Sequence, residues 1–177
     1  TDTGWIEGPN GKFEVFNTQR EGDFFLHCGV LREGLIELGQ EVNAHVDECR
    51  RQAIRRAHTA THLVHAALQH FLGSHAVQQG SKVDADLLRF DFSHASPVGN
   101  ETLQDIEAMV NEGTSEAVAV SANLLPLEEA RHAGAMMLFG EKYPDVVRMV
   151  SIDGISKELC GCLLYTSDAA DDSLGVD

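Results

Sequence analysis

Two histidines spaced four residues apart give this sequence its clearest potential for metal chemistry. His58 and His62 lie in the segment HTATH, inside a stretch whose apolar pattern is typical of a helix. Residues four apart lie on one face of a helix, one turn apart, so both imidazoles can approach the same metal ion. This spacing alone is weak evidence, because most such pairs are structural or coincidental.

The residues around this pair limit which class of zinc protein the sequence can belong to. In zinc peptidases with the same spacing, a glutamate follows the first histidine and acts as the general base. Thr59 stands at that position, which argues against a peptidase. Zinc takes four ligands, or three plus water, and Cys160 is the predicted third ligand. His65 is predicted to support a ligand or to pack in the core, because metal-bound imidazoles need a partner on their other nitrogen.

The histidine pair falls on the longest predicted helix, Cys49–Phe71. Apolar residues recur there at steps of three and four, and Gly73 provides a natural end. The helix that follows it in the sequence is predicted to end just before Gly113, because glycine disfavours continuation of a helix by about 1 kcal/mol. The other two predicted helices are Glu101–Glu112 and Leu127–Gly134.

Short strands separated by glycine-containing turns are predicted before this helix, and the pattern favours a small barrel. Their predicted ranges are Lys12–Asn17, Asp23–Leu31 and Glu41–Val46. Later strands are predicted near His75–Val83, Leu87–Ser93 and Val146–Ile152. Helices and strands alternate irregularly after the strand-rich start, which predicts an α+β fold.

Composition and charge limit the classes of partner. The 177 residues carry a net charge of −15, which argues against a protein that grips nucleic acid mainly through phosphates. A dense basic patch, which is either a solvated helix turn or a local RNA contact, consists of Arg50, Arg51, Arg55 and Arg56. The sequence contains no apolar run near the ~20 residues of a membrane span and no recognisable signal peptide. Four irregularly spaced cysteines favour a reducing, cytoplasmic location.

Several longer segments occur in a fixed order: AHTATHLVHAAL, QQGSKV, LLRFDFSH, GAMMLFGEKYPDVVRMVSI and ELCG. Together they resemble the editing domain of alanyl-tRNA synthetases, and the resemblance extends from Asp2 to Gly161. It implies an α+β editing domain of the threonyl/alanyl-tRNA synthetase second-additional-domain type at residues 49–161. Residues 1–48, with FEVFNTQ, resemble part of the small β-barrel that precedes this domain in the family.

The resemblance also implies a zinc site built from an H-x-x-x-H and a C-x-x-x-H segment. Its first three ligands fall on His58, His62 and Cys160. The fourth should be a histidine at the position of Leu164, which departs from the family pattern. For the substrate pocket, the resemblance implies that a polar residue helps to tell serine from alanine and that other residues lie near the zinc. The implied pocket residues are Gln78, Thr59, Thr61, Arg89 and Asp91.

The departure at Leu164 coincides with an abrupt change of composition. Residues 162–177 read CLLYTSDAADDSLGVD, and the start of this segment can be encoded by a common sequencing adaptor of the transposase type. We interpret the segment as a non-native, adaptor-derived tail. The fourth ligand is then missing because the natural sequence is truncated before it. Because the chain does not begin with Met, it is expected to be a fragment of a longer protein.

The resemblance implies hydrolysis of mischarged Ser-tRNA(Ala) and Gly-tRNA(Ala). The parent enzyme would attach alanine to tRNA(Ala) with ATP, a step for which this sequence contains no site. The implied cofactor is Zn²⁺, and the implied partners are the acceptor end of tRNA(Ala) and the rest of the synthetase, without membrane or DNA. Two alternatives remain: a free-standing trans-editing deacylase, and a non-catalytic tRNA-binding module stabilised by zinc.

Overall fold

The computed structural model describes residues 1–116, 118–137 and 142–160, which fall into two compact units. The first unit comprises Thr1–Arg55 with Asp84–Asp86, and the second comprises Arg56–Val83 and the described residues from Leu87 onwards. Both helices and strands are present, which confirms the α+β class. The domain boundary between residues 48 and 49 stays a prediction. No helix in these ranges is long and apolar enough to cross a membrane.

The first unit is built on a four-stranded antiparallel sheet. Its strands are β1 (Gly4–Gly8), β2 (Gly11–Glu21), β3 (Phe24–Gly34) and β4 (Asn43–Val46), in the order β3-β2-β1-β4. The sequence predicted the last three but missed β1, whose five residues include two glycines. Strands β3 and β4 are the edges of the described sheet, so a closed barrel stays a prediction.

Two glycines in this sheet have the same backbone conformation but different surroundings. Gly22 (φ 61°) and Gly34 (φ 65°) both lie in the left-handed region. A Cβ atom at Gly34 would overlap the carbonyl oxygen of Asn10, whereas one at Gly22 would meet nothing within 4 Å. The close approach at Gly34 lets the hairpin between β1 and β2 pack against the end of β3, where Leu35 N donates to Asn10 O at 2.9 Å.

We expect Gly34→Ala to destabilise the first unit clearly more than Gly22→Ala. Gly22→Ala costs only the about 1–2 kcal/mol by which an alanine disfavours the left-handed conformation. Gly34→Ala adds steric overlap with backbone, typically about 1–3 kcal/mol more. Urea unfolding followed by fluorescence of Trp5, the single tryptophan, measures both in the same unit. Equal losses of unfolding free energy would show that the contact with Asn10 is not close in solution.

The second unit receives most of the long helix α1 (Glu48–Leu72). It adds the helices α2 (Asn100–Ser115) and α3 (Leu127–His132) and two antiparallel sheets. One sheet is the hairpin of β5 (Gln78–Val83) and β6 (Leu88–Phe92). The other has the order β7-β8-β9, with β7 (Val120–Pro126), β8 (Val146–Ile152) and β9 (Ser156–Leu159). The predicted helices and the strand at Val146–Ile152 are confirmed, whereas β7 and β9 were not predicted.

Helix α2 continues past the point at which the sequence predicted its end. Gly113 was expected to stop it, yet the helix runs on to Ser115. A Cβ atom at Gly113 would lie 3.3 Å from Leu63 of α1 and 3.3 Å from Ile155. The missing side chain therefore allows close packing at this point. That packing outweighs the roughly 1 kcal/mol by which glycine disfavours a helix.

A compact apolar core lies beneath the end of α1. Ala67, Leu68, Ala76 and Ile106 are buried in it, and Phe90 and Phe92 of β6 pack against them. Large apolar side chains are usually buried, and these two phenylalanines follow that rule. This core joins α1, α2 and the β5–β6 hairpin into one body that holds the face of α1 carrying the histidines.

Candidate metal centre

His58, His62 and Cys160 come together although Cys160 lies 102 positions after His58 in the sequence. One possible ligand atom from each residue lies within 4.8 Å of the others. Nε2 of His58 is 3.3 Å from Sγ of Cys160. His62 and Cys160 are each only 2% exposed, so the group lies inside the second unit.

Local structure places both parts of this group. The two histidines are one turn apart on α1, with ring centroids 5.2 Å apart. Cys160 directly follows β9, and its backbone N–H donates to the carbonyl oxygen of Arg148 in β8 at 3.0 Å. The pairing of β9 with β8 therefore fixes the direction in which the cysteine approaches the helix.

The chemistry of the donor set fits zinc. Nδ1 of His62 lies 2.9 Å from a carboxylate oxygen of Glu158, so this nitrogen carries the proton. Nε2 of the same ring then presents a lone pair, and it is buried without a hydrogen-bond partner. Tetrahedral zinc places a nitrogen and a sulfur ligand about 3.6 Å apart, close to the separation of His58 and Cys160. A metal ion would satisfy the buried nitrogen of His62.

Glu158 lies beside the candidate metal centre, and sequence reasoning missed it. Its side chain is buried among polar partners: His62, the hydroxyl of Ser156 at 2.9 Å, and Nδ1 of His65 at 3.2 Å. Burial raises the pKa of Glu158, but the neighbouring imidazoles of His62 and His65 outweigh it and lower the pKa to about 2. The carboxylate is thus ionised at neutral pH. An acidic residue two positions before a predicted ligand, on the same strand face, was the available signal.

His65 is buried on α1, and the choice between support of a ligand and core packing stays a prediction. Its Nδ1 faces Glu158, and its Nε2 lies 3.3 Å from the side-chain amide nitrogen of Gln69. Its ring packs against Phe90, with centroids 5.3 Å apart. A polar stripe therefore runs along α1 from His58 through His62 and His65 to Gln69, and it is buried at its two central histidines.

The two threonines of the HTATH segment have different environments. Thr61 is 1% exposed, and its hydroxyl donates to the carbonyl oxygen of Ala57 at 3.1 Å. Its proton is therefore used within the helix, which leaves only lone pairs for another group. Thr59 is half-buried. Their place in a substrate pocket stays a prediction.

Gln78 is buried at the start of β5, where its amide nitrogen donates to the hydroxyl of Ser81 at 3.1 Å. The β5–β6 register shifts between Gln78 and Gly80, so that Gln78 pairs with Phe92 and Ser81 with Phe90. Directly paired residues share one face of an antiparallel sheet. Because Phe90 contacts His65, Gln78 lies on the hairpin face that is turned towards α1.

Arg89 and Asp91 lie on the other face of the same hairpin, because they alternate with Phe90 along β6. They form an ion pair of 3.0 Å, with side chains 64% and 46% exposed. The contact with His65 therefore belongs to the phenylalanine and not to this pair. Their assignment to the substrate pocket stays a prediction.

The basic patch on α1 is partly occupied by internal ion pairs. Arg50 contacts Asp84 at 2.6 Å, and Arg51 lies 3.6 Å from Asp2. The backbone N–H of Ala85 and the guanidinium of Arg50 lower the pKa of Asp84. For these two arginines the structure favours a role within the first unit. The predicted fourth ligand position, Leu164, and the tail at residues 162–177 lie outside the described residues.

Comparison with known proteins gives a consistent set of relatives. The chain is 47% identical over 162 residues to the alanine–tRNA ligase of Dichelobacter nodosus, covering 90% of this chain and 19% of that protein. It is 46% identical over 152 residues to the enzyme of Psychromonas ingrahamii, covering 86% and 18%. The relative from Acetivibrio thermocellus is 47% identical over 161 residues, covering 90% and 18%. No family model matches. The chain thus spans less than a fifth of the length of these relatives.

Proposed function

Because the chain is homologous to a part of alanine–tRNA ligases over about 90% of its own length, we propose that it is their editing part, which hydrolyses Ser-tRNA(Ala) and Gly-tRNA(Ala). The observation that carries the proposal is the convergence of His58, His62 and Cys160. The parent attaches alanine to tRNA(Ala) with ATP in the cytoplasm. Its remaining domains and the acceptor end of the tRNA are the partners of this part.

The need for a second, hydrolytic site follows from the size of alanine. A synthetic pocket cannot exclude the smaller glycine by size, and it rejects serine, which adds only a hydroxyl, weakly. Such discrimination amounts to about 1–3 kcal/mol. A hydrolytic site must then accept serine and glycine esters and spare alanine. A buried polar side chain that can bond a hydroxyl suits this task, and Gln78 is one.

The contacts of Gln78 support that role. Its amide N–H is held by Ser81, which fixes the plane of the amide. The carbonyl oxygen of the same amide then remains to accept a hydrogen bond from a serine hydroxyl. Gln78 lies on the hairpin face turned towards α1, the helix that carries the two histidines.

Hydrolysis of the ester on the terminal adenosine requires an oriented water and stabilisation of the developing oxyanion. When bound, zinc supplies a positive charge that orients the amino acid or the ribose. In the family pattern four protein ligands would hold the zinc, with His58, His62 and Cys160 as three of them, and such a set would leave no open position for activating water. Buried His62 and Cys160 hold their donor atoms in a fixed place, and a neighbouring polar group or a ribose hydroxyl orients the water.

We expect Gln78→Ala to slow hydrolysis of the serine ester about 3- to 10-fold, the value of one neutral hydrogen bond. Hydrolysis of the glycine ester, which has no side-chain hydroxyl, should change much less. The matched control is Gln79→Ala, because Gln79 is the exposed neighbour on the same strand. Rates of deacylation on both esters give the comparison. An equal effect on both esters would mean that Gln78 supports the fold rather than serine recognition.

The proposal is tested with a repaired chain that carries Cys162→Gly, Leu163→Thr and Leu164→His followed by a C-terminus from the family. Loss of serine from Ser-tRNA(Ala), with Ala-tRNA(Ala) spared, is the expected result. Zinc binding without hydrolysis would instead favour a non-catalytic tRNA-binding module. A gene that encodes no synthetase domain upstream would favour a free-standing deacylase.

A further inference from the structure

Glu158 and His65 form a buried polar pair beside the candidate metal centre, and neither is among the residues assigned to metal or substrate. The carboxylate of Glu158 reaches two imidazoles of α1 from β9, at 2.9 Å from Nδ1 of His62 and 3.2 Å from Nδ1 of His65. Glu158 is 7% exposed and His65 is 2% exposed. Burial of a carboxylate is costly, so a group held there needs all of its partners.

We infer that Glu158 is a positioning residue for the zinc site, which orients His62 for the metal and is itself held in place by His65. A hydrogen bond to Nδ1 fixes both the tautomer and the rotation of the His62 ring, and it raises the basicity of Nε2. That Nε2 is buried and has no hydrogen-bond partner. The inference rests on the metal site of the proposed function but not on its hydrolytic activity.

The arrangement explains why two further residues are polar in a buried place. Ser156 donates its hydroxyl to Oε1 of Glu158, the oxygen that also faces His65. Gln69 lies 3.3 Å from Nε2 of His65, on the opposite side of that ring. Each oxygen of the carboxylate is thus directed to a different imidazole. The carboxylate connects His65 with the predicted ligand His62, so we expect the effect of His65 on zinc to pass through Glu158.

The experiment measures zinc affinity of the 177-residue chain by competition with a chromogenic chelator. Glu158→Gln keeps the size and hydrogen-bonding capacity of the side chain but removes its charge. We expect it to weaken zinc binding by about 10- to 100-fold, the usual effect of losing such a partner. The matched control is Lys157→Gln, whose exposed side chain lies on the opposite face of β9 and should leave the affinity unchanged.

Three further readouts separate positioning from general stability. The melting temperature in the presence of chelator should be similar for Glu158→Gln and for the unsubstituted chain. The absorption bands of bound cobalt(II) should shift in Glu158→Gln, since the ligand ring changes its orientation. His65→Gln should weaken zinc binding less than Glu158→Gln does, and it should add nothing in the double variant.

Unchanged zinc affinity and cobalt bands in Glu158→Gln would overturn the inference. So would a loss of affinity matched by an equal loss of metal-free stability, because folding alone would then explain it. If Glu158→Gln does not fold, His65→Gln decides in the same way through its affinity and its cobalt bands. If the unsubstituted 177-residue chain binds no zinc, the metal site itself is overturned. Zinc binding without deacylation would leave this inference standing.

Discussion

Cys160→Ser should remove zinc from the repaired chain. The cysteine is 2% exposed and supplies the one thiolate within reach of His58 and His62 among the described residues. Serine is a poor zinc ligand at neutral pH, since its hydroxyl stays protonated. We expect the loss of affinity to exceed the roughly 10- to 100-fold that follows loss of an outer partner. Zinc content after dialysis and competition with a chelator measure it.

A matched control for this change is Cys49→Ser, because Cys49 is exposed at the beginning of α1. It should keep full zinc content. Metal binding in the repaired chain should also weaken as the pH falls, because the thiol of Cys160 and the imidazoles must lose protons to bind. Zinc content that is unchanged in Cys160→Ser, or equally reduced in both variants, would contradict the assignment of Cys160.

The second large effect concerns the core that supports the centre. Leu68 is 3% exposed and packs in the cluster with Ala67, Ala76 and Ile106. Leu68→Ala should lower the free energy of unfolding by about 2–5 kcal/mol, through lost burial and the cavity left behind. Urea unfolding followed by far-ultraviolet circular dichroism reports on α1 and α2.

The control for that change is Leu124→Ala, in which the same side chain is removed from a position that is 74% exposed. Its effect should stay within about 0.5 kcal/mol. Comparable losses in the two variants would mean that α1 is not packed in solution as described. If Leu68→Ala loses zinc as well, the core and the metal centre unfold together.

Much of the fold was predictable where local pattern is strong. Helix α1 is 25 residues long and repeats apolar residues at helical spacing, and four of the seven residues of β8 are valine or isoleucine. Strand β9, with the sequence SKEL, has no such pattern. It exists because it pairs with β8, a non-local interaction that a local window does not contain. Gly113 failed as a stop signal for the same reason, since its packing partner Leu63 is distant in sequence.

The candidate site was likewise predictable only where it depends on local sequence. The spacing of His58 and His62 depends only on helix geometry, so it was readable from the chain. Cys160 was predicted as the third ligand from its residue type, and the family resemblance implied the same position. Glu158 went unnoticed because a carboxylate in a strand is usually solvated, and its burial depends on the packing of β9 against α1. Its two imidazole partners become visible only in three dimensions.

The most direct test of the metal centre is the X-ray absorption spectrum of the zinc-loaded repaired chain at the zinc edge. We predict one sulfur at about 2.3 Å, with the remaining ligands nitrogen at about 2.0–2.1 Å. The sulfur shell should persist in Cys49→Ser, and any zinc that Cys160→Ser still retains should lack it. A shell of oxygen atoms alone, or one with two sulfurs, would contradict a centre built from His58, His62 and Cys160.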